Sequence, residues 1–162
     1  MPRLLSREKG VPRFTKLLST LALLLWAPLA AAQNNLGTLL DAGATRLSPD
    51  AFKEEVVQRV LVGPTAGGSN LEIMYATSGV ISGRGTNQLA AAPTQELNGE
   101  WKIDDNGKIC TSMRLAGPGF GSLTGVSLPP RCQFWFKYKA DYFISDSDSD
   151  RGARVFRRTV KQ

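Results

Sequence analysis

The clearest periodic pattern in the chain is an apolar stripe that follows Ser48. Its apolar positions recur every three or four residues, as on one face of a helix: Phe52, Val56, Val57, Val60 and Leu61. Ser48 can cap the free N–H groups of a helix, and Pro49 suits its first turn. We therefore expect an amphipathic helix that begins after Ser48, ends at Gly63-Pro64 and faces the core.

From Thr65 onward the pattern changes to short β-prone runs separated by Gly, Asn, Asp and Pro. The predicted strands cover residues 71–77, 80–86, 100–104, 108–115, 132–138, 142–147 and 153–160. Ser78-Gly79 and Asp105-Asn106-Gly107 are the clearest hairpin turns. The fold class predicted is α+β and mainly β, with one short N-terminal helix packed on a curled antiparallel sheet or small barrel of six to seven strands.

The turn at Asn106-Gly107 allows two registers. A two-residue loop pairs Ile103 with Cys110, whereas a three-residue loop pairs Ile103 with Ile109 and turns Cys110 to the opposite face. The more apolar side of strand 132–138 carries Cys132, Phe134, Phe136 and Tyr138. We take that side as the core side and favour the two-residue turn, which brings Cys110 towards it.

The first 32 residues have the layout of a secretory signal. Basic residues precede an apolar run over 17–29, and Ala30-Ala31-Ala32 follows it. The run is shorter than the ~20 residues that a membrane helix needs. We expect cleavage after Ala32 rather than a retained anchor, and no membrane span in the mature chain. The predicted organisation is a signal peptide (1–32), a flexible lead-in (33–47) and a single β-rich domain (48–162). A short turn of helix at 36–40 is the alternative structure for part of the lead-in.

Removal of the leader changes the charge balance. Five of the 20 basic residues and one of the 14 acidic residues lie in it, which leaves 15 against 13, a net charge of +2. Nucleic-acid binders carry a dense basic face, and we expect no nucleic-acid partner. The remaining excess lies in residues 151–161, which form either a solvated strand end or a contact for an anionic partner.

The chain has no histidine and two cysteines, which excludes some classes of enzyme and predicts a disulfide. Without histidine, neither a Ser-His-Asp nor a Cys-His enzyme is possible. Cys110 and Cys132 are separated by 22 positions, far from the C-x-x-C spacing of redox pairs. In an exported chain this pair predicts one structural disulfide.

Trp135 is a candidate contact for a ligand or partner. In the predicted strand it points away from Phe134 and Phe136, and it lies near Lys137 and Lys139. An aromatic side chain among cations on an outer face can bind a partner. Alternatively the helix covers Trp135, and the lysine stems pack around it.

Asp146, Asp148 and Asp150 alternate in a polar segment and form a weak candidate cation site. A calcium loop needs Gly at its sixth position and Glu at its twelfth, where this chain has Arg151 and Arg157. A polar hairpin loop is therefore favoured, and we expect no metal. The glycine-rich stretches match neither nucleotide-binding pattern, so we expect no cofactor.

Several motifs along the chain occur in a familiar order: Leu61-Val62-Gly63-Pro64-Thr65, residues 75–83, Gly99-Glu100-Trp101, Asp105-Asn106-Gly107-Lys108-Ile109-Cys110, and residues 132–138. This order resembles short exported proteobacterial proteins grouped as domain-of-unknown-function family 995, over residues 48–160. The resemblance implies a periplasmic or secreted location and supplies no catalytic residue. Gly63-Pro64 departs from the family pattern, which has another residue between the glycine and the threonine-led strand.

These observations favour a non-enzymatic binding or interaction protein in the periplasm or secreted medium. Its partner would be a periplasmic protein or a component of the cell envelope. The alternative is a periplasmic inhibitor of a cell-wall hydrolase, similar to lysozyme inhibitors, with residues 112–131 as its contact loop. A hydrolase that uses paired carboxylates is a third hypothesis, and it requires two facing carboxyl groups in one pocket.

Overall fold

The computed structural model of the chain describes residues 34–65, 69–86, 94–116 and 126–162, so the predicted signal peptide lies outside the described residues. These residues form two short helices, α1 (Leu36–Asp41) and α2 (Pro49–Glu55). They also form ten strands: β1 (Thr45–Arg46), β2 (Val60–Pro64), β3 (Asn70–Tyr75), β4 (Val80–Thr86), β5 (Thr94–Ile103), β6 (Ile109–Ala116), β7 (Val126–Ser127), β8 (Arg131–Tyr138), β9 (Asp141–Ser145) and β10 (Val155–Val160). Neither helix of this part of the chain is long and apolar enough to cross a membrane.

Eight of the strands form a closed antiparallel barrel. The ring runs from β8 through β9, β10, β2, β3, β4 and β5 to β6, which pairs again with β8. Three residue pairs make this closure: Ile109–Gln133, Cys110–Cys132 and Thr111–Arg131. β1 adds to β8 and β7 adds to β6 as two extra strands. The predicted mainly β barrel is confirmed, with eight barrel strands rather than six or seven and two helices rather than one.

The helix after Ser48 begins where the sequence predicts and ends earlier. The Ser48 hydroxyl oxygen accepts a hydrogen bond from the N–H of Ala51 at 3.1 Å. The helix stops at Glu55, and Gln58, with a φ of 67°, turns the chain into β2. The valines of β2 are β-branched and favour an extended strand packed on its neighbours. The prediction of a helix as far as Gly63-Pro64 is therefore wrong, and β2 is the additional barrel strand.

One end of the barrel interior is filled by aromatic side chains around Phe52 of α2. The Phe52 ring centroid lies 5.5 Å from Tyr75, 5.5 Å from Trp101 and 5.1 Å from Trp135, and each pair meets edge to face. This geometry stabilises aromatic pairs beyond the area that they bury. α2 thus covers the barrel end at which β3 and β5 finish.

A second hydrophobic cluster lies on the outer face of β8, β9 and β10. Leu36 and Leu39 of α1 are fully buried there with Phe134, Phe136 and Phe143. In the predicted lead-in over residues 33–47, the turn of helix expected at 36–40 is present as α1, and the segment also contributes β1. Its described residues are therefore part of the packed fold. Because both faces of β8 are covered, its central residues form a continuous apolar run.

The β5–β6 turn has three residues rather than the predicted two. Ile103 pairs with Ile109, as in the register that the sequence analysis did not favour. The Asp104 carboxylate accepts hydrogen bonds from the N–H groups of Asn106 and Lys108, at 2.9 and 2.8 Å. These bonds hold the three-residue loop, which reverses the predicted faces of β6.

The faces of β8 are reversed in the same way. Trp135 lies in the barrel interior with 4% of its surface exposed, whereas Phe134 and Phe136 face α1 on the outside. Cys110 and Cys132 lie directly opposite each other and form the predicted disulfide at the closure. A shift of one residue exchanges the two faces of a strand. The preference for the two-residue turn depends on taking the Phe134 and Phe136 side of β8 as the core side. The wrong face for β8 therefore leads to the wrong turn at β5–β6.

Two barrel glycines allow their strands to approach closely. A Cβ atom on Gly83 or Gly99 would lie 2.2 Å from a carbonyl oxygen of the preceding or following strand. No side chain fits at that distance without moving the backbone. Glycine at these positions therefore permits the close approach of β4 to β3 and of β5 to β6.

Loss of the disulfide at the closure should destabilise the fold. The double variant Cys110→Ala/Cys132→Ala is expected to lower the free energy of unfolding by about 3 kcal/mol, because the unfolded chain regains the freedom of the closed loop. Urea denaturation of the mature chain measures this change. Ser112→Ala, at an exposed position of β6, is the control and should stay within about 0.5 kcal/mol of the wild type. A loss in the double variant no larger than in the control would contradict a structural bridge.

Candidate functional site

A groove of about 480 Å³ crosses the outer face of four neighbouring strands, β10, β2, β3 and β4. We call it the β2–β3 groove, and its lining includes Val62, Pro64, Glu72, Arg84, Arg157 and Thr159. The volume lies within the range of small-ligand and peptide-side-chain sites. It is therefore a candidate binding surface, and it is more apolar than a second, polar cavity of about 400 Å³ beside Arg46, Lys108 and Asp148.

The register of the barrel brings these residues together from distant parts of the chain. Directly opposite positions on the four strands form one row: Thr159, Val62, Glu72 and Arg84. A second row lies two residues further along the strands: Pro64, Asn70 and Thr86, with Arg157 on β10 beside it. Because side chains alternate between faces, both rows project from the outside of the barrel.

A carboxylate held by two cations lies in the first row. Arg84 Nη2 lies 3.2 and 3.1 Å from the two carboxylate oxygens of Glu72, and Lys161 Nζ lies 2.8 Å from one of them. These hydrogen bonds, from Lys161 first and then from Arg84, hold the pKa of Glu72 below its ordinary value. The carboxylate therefore stays charged across the neutral range.

The basic segment 151–161 does not form a strip of free positive charge. Three of its cations are ion-paired: Arg151 with Asp41, Arg157 with Asp141 and Lys161 with Glu72. A fourth, Arg158, is turned into the barrel. The segment is therefore not a strip of unpaired charge, and a contact of its exposed cations with an anionic partner stays a prediction.

Arg158 is a buried cation that the sequence analysis did not identify. Its side chain is 5% exposed, and its Nη1 donates hydrogen bonds to the carbonyl oxygens of Pro64 at 2.7 Å and Arg157 at 2.9 Å. Burial lowers its pKa. A Cβ on Gly63 would come within 2.8 Å of that Nη1, so glycine leaves room for the guanidinium. Arg158 thus joins β10 to β2 from inside.

A signal for Arg158 was present in the sequence. Neighbouring residues in a strand point to opposite faces, so one of two consecutive arginines must face the interior. Arg157 faces the β2–β3 groove, and Arg158 faces the core.

The predicted contact surface of Trp135, Lys137 and Lys139 is not assembled. Trp135 lies in the barrel interior, so it is unavailable to a partner. Lys139 lies in the β8–β9 turn with a φ of 56°, and its ammonium group is 5.0 Å from the centroid of the Tyr138 ring. Trp135 therefore does not share an accessible surface with Lys137 and Lys139. The alternative in which α2 covers Trp135 agrees with the packing of Phe52 against it.

Lys137 belongs to a small polar cluster beside α2. Its ammonium group is ion-paired with Glu55, and the Tyr142 hydroxyl lies 3.3 Å from the same carboxylate. The hydrogen bond to Glu55 raises the pKa of Lys137, and burial raises the pKa of Tyr142. Both shifts favour the protonated forms, whereas a lysine or tyrosine that acts as a general base or nucleophile near neutral pH needs a lowered pKa. The cluster fastens α2 to the barrel.

The three aspartates of the β9–β10 loop bind different groups. Their carboxylates accept hydrogen bonds from three separate donors: Asp146 from Gln133 at 2.8 Å, Asp148 from Arg46 at 2.7 Å and Asp150 from the N–H of Gly152 at 2.9 Å. Their carboxylate oxygens do not form a group of three neighbouring ligand atoms among the described residues.

One group of potential metal ligands occurs in the described part of the chain. It combines Asp104 with Cys110 and Cys132. The two sulfur atoms are bonded to each other, so neither is a thiolate that could bind a metal. This group therefore has no metal-binding chemistry while the disulfide is intact.

Comparison of the chain with protein-family models, with curated proteins and with solved structures finds no match. The resemblance to family 995 stays a prediction. The functional proposal therefore depends on the chemistry of the described residues.

The buried Tyr75 hydroxyl should make the free energy of unfolding depend on pH in the alkaline range. Burial raises the pKa of Tyr75 to about 12, whereas a tyrosine in an unfolded chain titrates near ~10. Between these values the folded state keeps a proton that the unfolded state loses. The free energy of unfolding is therefore expected to fall by about 3 kcal/mol as the pH rises from about 10 to about 12.

Urea denaturation at several pH values tests this expectation. Tyr75→Phe should remove most of the fall, and the raised pKa values of Tyr142 and Lys137 leave a smaller slope of the same sign. A variant with the same slope as the wild type would show that Tyr75 does not cause it.

Proposed function

We propose that the mature chain is a periplasmic or secreted binding protein that contacts its partner through the β2–β3 groove and has no catalytic activity. The groove carries this proposal, because it combines an apolar floor with exposed charged side chains on a rigid barrel wall. Ligand sites are typically apolar surfaces with a few polar or charged side chains that orient the ligand. The barrel interior beside α2 is instead filled by core side chains.

The titratable groups support binding rather than catalysis. The chain has no histidine. The pKa values of Tyr75, Tyr142 and Lys137 are raised, which keeps these groups protonated. The described lining of the groove includes one carboxylate, Glu72, whereas the hydrolase hypothesis needs a facing pair.

Two features support export. The leader pattern predicts translocation, and the Cys110–Cys132 disulfide is consistent with an oxidising compartment. A partner met there is a periplasmic protein or a component of the cell envelope.

Site-specific photo-crosslinking in producing cells tests the proposal. A photoreactive residue in place of Thr86, in the groove, is expected to give a discrete cross-linked adduct. The same residue in place of Lys102, on the outer face of β5 and outside the groove lining, is the control and should give none. Equal labelling from both positions, or from neither, would contradict a partner in the groove.

Inhibition of a cell-wall hydrolase is the second candidate function. The disulfide-braced closed barrel and the exposed position of Ser112 on β6 favour it, whereas residues 117–125 of the proposed contact loop lie outside the described residues. An excess of the mature chain should then stop a muramidase from clearing a cell-wall suspension, and Ser112→Ala should restore clearing. Undiminished clearing with the wild-type chain would remove this candidate.

A further inference from the structure

The charges of the β2–β3 groove indicate what its partner carries. We propose that the groove binds an extended acidic peptide segment, whose carboxylates contact Arg84, Arg157 and Lys161. This inference rests on the proposed binding function and adds the chemical class of the partner.

The groove already binds one carboxylate, which belongs to its own chain. Glu72 receives hydrogen bonds from Arg84 at 3.1 and 3.2 Å and from Lys161 at 2.8 Å. Charge-assisted hydrogen bonds of this kind are the stronger ones in proteins. A ligand carboxylate that displaces Glu72, or adds beside it, meets the same donors.

The cations of the groove are accessible. The side chains of Arg84 and Arg157 are 54% and 59% exposed, and they extend from β4 and β10 on opposite sides of the groove. The described groups of the groove and its ion pairs comprise three cations against two carboxylates, Glu72 and Asp141. The excess is positive, which complements an acidic segment.

The remaining lining fits a peptide better than a sugar chain. Val62 and Pro64 offer apolar contacts, and Asn70, Thr86 and Thr159 offer side-chain hydrogen bonds. None of the described lining residues is aromatic, so the groove lacks the flat rings on which sugars stack. In an extended peptide, acidic side chains would contact the cations, and the backbone between them would contact the apolar and hydrogen-bonding side chains of the groove.

Fluorescence anisotropy with a fluorescein-labelled hexaglutamate peptide tests the proposal on the mature, oxidised chain. The variant Arg84→Gln/Arg157→Gln should weaken binding at least tenfold. The matched control, Arg114→Gln/Arg131→Gln, removes the same charge at exposed positions outside the groove lining and should change binding less than twofold.

Glu72→Gln gives a test of opposite sign. It removes the competing carboxylate and releases Arg84 and Lys161, so affinity for hexaglutamate should rise severalfold. An unchanged or lower affinity for hexaglutamate in this variant would contradict the proposal. Urea denaturation of each variant establishes that it folds, as expected for surface ion pairs of small energetic weight.

Three further outcomes would overturn the proposal. The first is no saturable binding of hexaglutamate by the wild-type chain. The second is an equal loss in the groove and control variants, which would indicate attraction by net charge alone. The third is tighter binding of oligogalacturonate, which would assign the groove to an acidic glycan. If Thr86 cross-links a partner while hexaglutamate fails to bind, the proposed function stands and the acidic-peptide assignment falls.

Discussion

The pairing of β6 with β8 is the interaction on which the rest of this structure depends. It consists of three residue pairs and the Cys110–Cys132 disulfide. Once the ring is closed, each barrel strand has one inner and one outer face, and its residues alternate between them. Closure also removes the exposed edges that an open sheet would leave. The positions of the core and of the groove both follow from it.

The two hydrophobic clusters show how one closed ring uses both sides of the same strands. Trp135 joins Phe52 and the inner aromatic cluster, while Phe134 and Phe136 pack outside against α1. The ring is thus covered by α2 at one end and by α1 on the outer face of β8, β9 and β10. The outer face of β10, β2, β3 and β4 carries the polar rows that surround the β2–β3 groove.

Because side chains alternate between the two faces of a strand, neighbouring charged residues can have different roles. Arg158 points inward and donates to the backbone of β2, whereas Arg157 points outward beside the groove. Glu72, Arg84 and Lys161 form a surface network that holds a carboxylate in place. Because these ion pairs already restrain the cations, less side-chain entropy would be lost in the binding that we propose.

The sequence by itself determined the local elements: the start of α2 at Ser48, the hairpin turns at Gly79 and Gly107, and the disulfide. These depend on neighbouring residues or on residue type. Only the tertiary structure decided which face of β8 is inside, that 60–64 is a barrel strand, and that Thr159, Val62, Glu72 and Arg84 form one row. These features depend on the register between distant strands. A shift of one residue exchanges the inner face of a strand with the outer one, and the local sequence of a strand that is apolar on both faces does not distinguish the two registers.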